Sequence, residues 1–168
     1  YPGLEAEYAE TVASLVHYGI KRRRPALHFN MISPINETGC WGIEAPEMSS
    51  RQLGVVFNRV AGHLINDGLE TVTLIGPDDC YNSFNALELL GDKTTMSKVK
   101  YLGGHQYGNS TSRSEELLYA IRNSDFPDRG VIMTEVNAIC NGCDGGHYNK
   151  DYGFSNYAAP AYNYVLQH

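Results

Sequence analysis

The chain has 168 residues, 42% hydrophobic and 19% charged, enough for one ordinary soluble domain with a sizeable core. Thirteen Lys and Arg against nineteen Asp and Glu leave a net charge of −6, which argues against nucleic acid and against an anionic membrane surface as partners. No apolar run approaches the roughly 18 residues of a membrane-spanning helix, and four cysteines are too few for a disulfide framework at this length.

No secretory leader is visible and the first residue is Tyr1 rather than Met. The chain is therefore expected to be processed, trimmed or a segment of a longer protein. In chain order, Ala9, Val12, Ala13, Leu15 and Val16 recur near helical spacing and predict a helix over Tyr8 to Tyr18, stopped at Gly19. The basic run Lys21-Arg22-Arg23-Arg24 reads as a solvated loop before Pro25. The apolar run Ala26 to Ile35 has the length and flanks of a buried strand, and it ends in Asn36-Glu37. A loop from Thr38 to Met48 carries Trp41, and Ser49 or Ser50 can cap a helix over Arg51 to Asn66. That helix presents Leu53, Val56, Phe57, Val60, Leu64 and Ile65 on one face, and Asp67-Gly68 ends it.

Glu70 to Ile75 reads as a second buried strand, running out into Gly76-Pro77-Asp78. A helical stretch with Phe84, Leu87, Leu89 and Leu90 follows, interrupted near Gly91-Asp92 and resuming at Thr95. Tyr101 to His105 is a short strand ending in His105-Gln106-Tyr107. Ser112 or Ser114 starts a helix through Leu117, Leu118 and Ile121, and Gly130 to Thr134 is a strand ending in Glu135. A Gly- and Asn-rich loop over Asn137 to Gly153 precedes a last helix from about Asn156. A helix followed by four strand–helix units implies a parallel sheet with right-handed crossovers.

Polar residues gather at the carboxyl ends of these strands: Asn36-Glu37, Asp78-Asp79, His105-Gln106-Tyr107 and Glu135. In parallel α/β folds that edge holds the active site. Glu37 and Glu135 stand 98 residues apart, with two strand–helix units between them. In a barrel, strands three steps apart face each other across the mouth, so these carboxylates are expected to approach to about 5 Å, the separation of a nucleophile and an acid/base in a retaining glycosidase. A salt bridge at the mouth is the structural alternative.

The segment Ile32-Ser33-Pro34-Ile35-Asn36-Glu37 resembles the fourth-strand motif of clan A glycoside hydrolases, family 30 and its relatives above all. Met133-Thr134-Glu135 is similar to their seventh-strand motif, and Gly104-His105-Gln106-Tyr107 to their sixth-strand His-x-Tyr. The resemblance implies a partial (β/α)8 barrel of about four βα units over residues 1–168, strands four to seven of the whole. It implies Glu37 as acid/base, Glu135 as nucleophile and Asn36 as donor to the sugar 2-hydroxyl. His105 and Tyr107 would orient the nucleophile and line the subsite. Thr38 stands where the family usually has Pro. Strands one, two, three and eight have no counterpart here, so these residues alone are expected to be inactive.

Trp41, four residues after Glu37, either stacks on a sugar ring or anchors its loop. Asn36-Glu37-Thr38 and Asn109-Ser110-Thr111 match the glycosylation sequon; the first would be buried in the site. Cys40 and Cys80 follow adjacent strands, and Cys140 and Cys143 form a single CxxC. A loop-stapling disulfide is the favoured reading for either pair over a zinc or redox site. The expected function is a retaining O-glycosidase acting on a polysaccharide or glycoconjugate, needing no metal or organic cofactor and located outside the cytoplasm. Its rivals are a non-catalytic carbohydrate-binding barrel and a zinc- or redox-active cysteine protein.

Overall fold

The structure, a computed structural model, describes residues 3–19, 30–38, 47–79, 84–107 and 112–137, without the side chains of 84, 85, 106, 107, 112–114, 136 and 137. Trp41, the four cysteines, the basic run, the second sequon, the loop after Asn137 and the expected last helix lie outside the described residues.

The elements in order are helix α1 (Glu5–Tyr18), strand β1 (Met31–Ile32), helix α2 (Ser50–Asn66), strand β2 (Thr73–Asp79), helix α3 (Phe84–Leu90), helix α4 (Lys93–Met96), strand β3 (Val99–Tyr107), helix α5 (Ser112–Arg122) and strand β4 (Gly130–Asn137). The four strands form one parallel sheet in the order β1-β2-β3-β4. Consecutive parallel neighbours joined through helices are the repeating unit of a (β/α)8 barrel, here four units of it.

Helix α2 shows how sequence specifies an element. Ser49 caps it: its hydroxyl accepts from the Gln52 backbone N–H, and the Gln52 side chain accepts from the Ser49 N–H. At the other end Gly68 adopts φ +70, and Leu69 N–H reaches Leu64 O at 2.7 Å while Gly68 N–H reaches Ile65 O at 3.0 Å. That is a Schellman ending, which only a residue tolerant of positive φ supplies cheaply. The buried face is Leu53, Val56, Phe57, Val60 and Leu64. Ile65, expected on that face, is 48% exposed, because it falls past the edge of the apolar stripe.

Phe57 is fully buried, and its ring lies so close over β2 that a Cβ on Gly76 would stand 2.2 Å from the ring Cζ. Leu74, Val99, Leu102, Leu89, Met96, Leu117 and Ile121 complete the packing between sheet and helices. Each fully buried Leu, Val, Phe or Met is worth about 1.5–3 kcal/mol of transfer free energy, which makes this layer the main support of the sheet. Helix α1 packs on α2 through Ala9 and Ala13, and its Tyr8 hydroxyl donates to Pro34 O at 2.7 Å, tying the exit of β1 to the helical layer.

Several boundaries differ from the sequence expectation. The second strand starts at Thr73 rather than Glu70, because Val72 N–H closes a turn onto Leu69 O at 2.9 Å. It then continues through Gly76-Pro77-Asp78-Asp79, the stretch expected as its exit. The second part of the interrupted helix starts at Lys93, not Thr95, because Asp92 caps it through the Thr94 and Thr95 N–H groups. In the first strand, the ladder among the described residues covers Met31 and Ile32; Pro34 has no N–H to extend it.

Candidate active site

The strand ends are not regular, and the irregularities build the site. Between Pro77 and Asp79 the β2–β3 register shifts, leaving Asp78 outside the ladder with φ +57. Between Gly104 and His105 the β3–β4 register shifts too, so that Met133 pairs with Gly104, Glu135 with His105, and Thr134 is the residue left over. Bulges of this kind re-aim side chains and gather near active sites. The two bulged residues meet: the Thr134 hydroxyl donates to Asp78 Oδ1 across β3. Gly103 makes the space, since a Cβ there would stand 3.2 Å from Asp78 Oδ1 and 2.6 Å from Ile75 Cγ2.

Glu37 follows β1 in an equally unusual backbone, φ +51, with its N–H on Asp78 O at 2.9 Å. Positive φ in a non-glycine residue costs energy, and two such residues joined by a hydrogen bond mark a constrained functional geometry. Asn36 precedes Glu37 and is half-buried; Thr38 follows it and is fully buried.

His105 is the centre of the arrangement, its side chain wholly buried. Its Nδ1 lies 2.8 Å from Glu37 Oε1, and its Nε2 lies 3.5 Å from both Asp78 Oδ1 and Glu135 Oε1. One oxygen of Glu37, one of Glu135 and one imidazole nitrogen all fall within 4.8 Å of one another. In a flat sheet β1 and β4 would stand about 14 Å apart. Sheet curvature and inward-reaching side chains bring their end carboxylates together. Glu37 is nearly buried, whereas the Glu135 side chain is 49% exposed, so the cluster opens to solvent on the β4 side.

Burial of the His105 ring opposes its protonation. The Asp78 carboxylate 3.5 Å from Nε2, the hydrogen bond to Glu37 and the charge of Glu135 outweigh that and raise its pKa above the ordinary imidazole value. For Asp78, burial works toward the neutral acid, but the adjacent His105 imidazole and the Thr134 and Ser33 hydroxyls win and hold its carboxyl below the usual range. The chemistry on offer is a paired-carboxylate site, one carboxyl sheltered and one facing solvent, with an imidazole between them able to hold a proton. Glu37, His105 and Glu135 are also near enough for one cation to touch all three.

Of the residues expected from sequence, Glu37, His105 and Glu135 are brought together, and Asn36 is next to them. Tyr107 lies in β3 and pairs with Asn137 in register, its side chain outside the described residues. Trp41 lies outside them altogether. Asp78 is the residue given no role by sequence reasoning, although its place at a strand end was visible. A cavity of about 430 Å3 opens at the amino-terminal ends of β2 and β3, lined in part by Leu64, Val72, Lys98 and Arg129. Among the described residues Glu70 is its one lining carboxylate, which gives it no paired-acid chemistry.

No protein-family model matches the chain, and no curated protein matches it. Solved structures do. It is similar to the GH39 enzyme from Xanthomonas axonopodis pv. citri, with TM-score 0.62 and 14% identity over 82% of this chain and 31% of that one. It is similar to a GH39 β-xylosidase from Caulobacter crescentus, with TM-score 0.64 and 15% identity over 82% and 31%. A monomeric β-xylosidase from Caulobacter crescentus CB15 matches with TM-score 0.60 and 13% identity over 82% and 32%. The chain thus spans about a third of the length of these structures. At such identities the likeness shows the fold alone, consecutive strand–helix units of a (β/α)8 barrel, and singles out neither family 30 nor any other family.

Proposed function

We propose that the chain is the second half of the catalytic barrel of a retaining O-glycosidase, with Glu135 as nucleophile and Glu37 as acid/base. The observation that carries the reading is the approach of the two carboxylates to within 4.8 Å at the carboxyl edge of a parallel sheet. Double displacement needs about 5–5.5 Å between the groups, whereas inversion leaves room for a water at about 6.5–9.5 Å. In the first step Glu135 attacks the anomeric carbon while Glu37 gives its proton to the departing oxygen. In the second, Glu37 takes a proton from water, the water oxygen bonds the anomeric carbon, and the bond to Glu135 breaks. His105 keeps the two carboxyl groups in register, and Asn36 and Tyr107 address the sugar.

The partner is a carbohydrate, in a polysaccharide or glycoconjugate, met outside the cytoplasm. β-Xylosides are the first substrates to assay, since two of the similar solved structures are named β-xylosidases. In the full-length protein, Glu135→Gln should abolish turnover. Glu37→Ala should retain activity on aryl glycosides with good leaving groups, and azide should rescue it as a β-glycosyl azide. Azide rescue of Glu135→Ala with inverted product would exchange the two roles. Carbohydrate binding with no hydrolysis of any glycoside would replace the reading by a non-catalytic barrel.

A further inference from the structure

We propose that Asp78 is a positioning residue of this site, the group that locks both the backbone of Glu37 and the imidazole of His105 between the two glutamates. Three contacts converge on it, and a glycine leaves room for them. Its carbonyl takes the Glu37 N–H at 2.9 Å, which fixes the peptide carrying one carboxylate. Its Oδ1 lies 3.5 Å from His105 Nε2, the nitrogen that also faces Glu135. The Thr134 hydroxyl donates to that same oxygen, from the residue just before Glu135. Gly103 beneath it leaves room that a methyl group would fill. Asp78 therefore joins the exits of β1, β3 and β4 from its own place on β2.

The chemical reason for an acid here is charge and orientation. A ring anchored only by Glu37 at Nδ1 could rock about that bond and lose its alignment with Glu135. A carboxylate at Nε2 favours a proton on that nitrogen and holds the ring plane, as orienting partners of functional imidazoles do. The two departures from regular structure that create the contact, the bulge at Asp78 and the bulge at Thr134, sit on different strands and serve one bond. Asp78, at 7% exposure, is too enclosed for its carboxylate to be a solvated surface charge.

Asp78→Asn is the informative variant, because Asn is among the few residues that tolerate the left-handed backbone; it keeps the shape and removes the charge. In the full-length protein, the imidazole 15N signals of His105 should move away from those of the unmodified protein toward a neutral ring. Resting on the glycosidase reading, kcat should fall by about 10- to 100-fold with KM changed less than about 3-fold. Thr134→Val, which removes one donor from the Asp78 carboxylate and alters neither glutamate, should shift the same signals by less. His105 signals unchanged in Asp78→Asn would overturn the proposal. Should that variant not fold, unchanged signals in Thr134→Val would do so. If no glycoside is hydrolysed by the unmodified protein, the glycosidase reading fails while the His105 signals still decide the role of Asp78.

Discussion

Adjacent glycines on β3 offer a paired test of the packing that supports the site. A methyl group added at Gly103 would stand 2.6 Å from Ile75 Cγ2, about 0.8 Å inside the 3.4 Å at which ordinary contact begins, and 3.2 Å from Asp78 Oδ1. Ile75 is buried and β-branched, so its methyl cannot swing away. At Gly104 the nearest atom is Asp79 O at 3.8 Å, an ordinary contact. Overpacking costs about 1–3 kcal/mol, and either Gly→Ala change stabilises by about 0.4–1 kcal/mol through the unfolded chain. Gly103→Ala should therefore lose about 1–2 kcal/mol net, and Gly104→Ala should lie within about 1 kcal/mol of neutral or above it. Urea unfolding of the two variants in the full-length protein measures the difference, and Gly103→Ala should also reduce turnover by displacing Asp78. Equal stability of the two variants would refute the claim that Gly103 is required by close approach.

The pH dependence follows from the directions at His105 and Asp78. A raised histidine contributes stability in full below its unfolded value, ordinarily 6.5, and loses it as pH rises through the folded value. A lowered aspartate contributes in full above its unfolded value, ordinarily 3.8, and loses it as pH falls through the folded one. Both contributions are complete between these two values, so the loss of melting temperature in His105→Gln should be larger near about pH 5 than near about pH 8; an equal loss at both would contradict the assignment. Ser49→Ala removes one half of the capping box and should cost about 1 kcal/mol in chemical unfolding. Treatment with a chelator should leave folding and turnover unchanged, because the Cys40, Cys80, Cys140 and Cys143 spacing is not that of a zinc site; a stoichiometric zinc signal in the purified protein would overturn this.

Much of the scaffold could be read from the chain because its signals are local. The spacing of Leu53, Val56, Phe57, Val60 and Leu64 fixes one face of α2 without reference to any other residue, and Ser49 with Gln52 and Gly68 mark its ends. Strand–helix alternation then leaves a parallel sheet as the way to bury each apolar run. The polar strand ends Glu37, Asp78, His105 and Glu135 were visible for the same reason: a charged residue closing an apolar run must sit where the chain leaves the core. The sequence could not say that Pro77 would stay inside β2, or that Asp78 and Thr134 would drop out of register on different strands. Those outcomes depend on pairing between segments tens of residues apart, and on whether Gly103 leaves space for a carboxylate. The left-handed backbones of Glu37 and Asp78 are joined by the hydrogen bond from Glu37 N–H to Asp78 O, a long-range contact, and a glutamate does not favour that conformation alone. Which imidazole nitrogen faces which carboxylate was decided only when sheet curvature brought β1 and β4 toward β3. A one-dimensional pattern records which residues avoid water, while the distances among the groups at their ends belong to the closed three-dimensional packing.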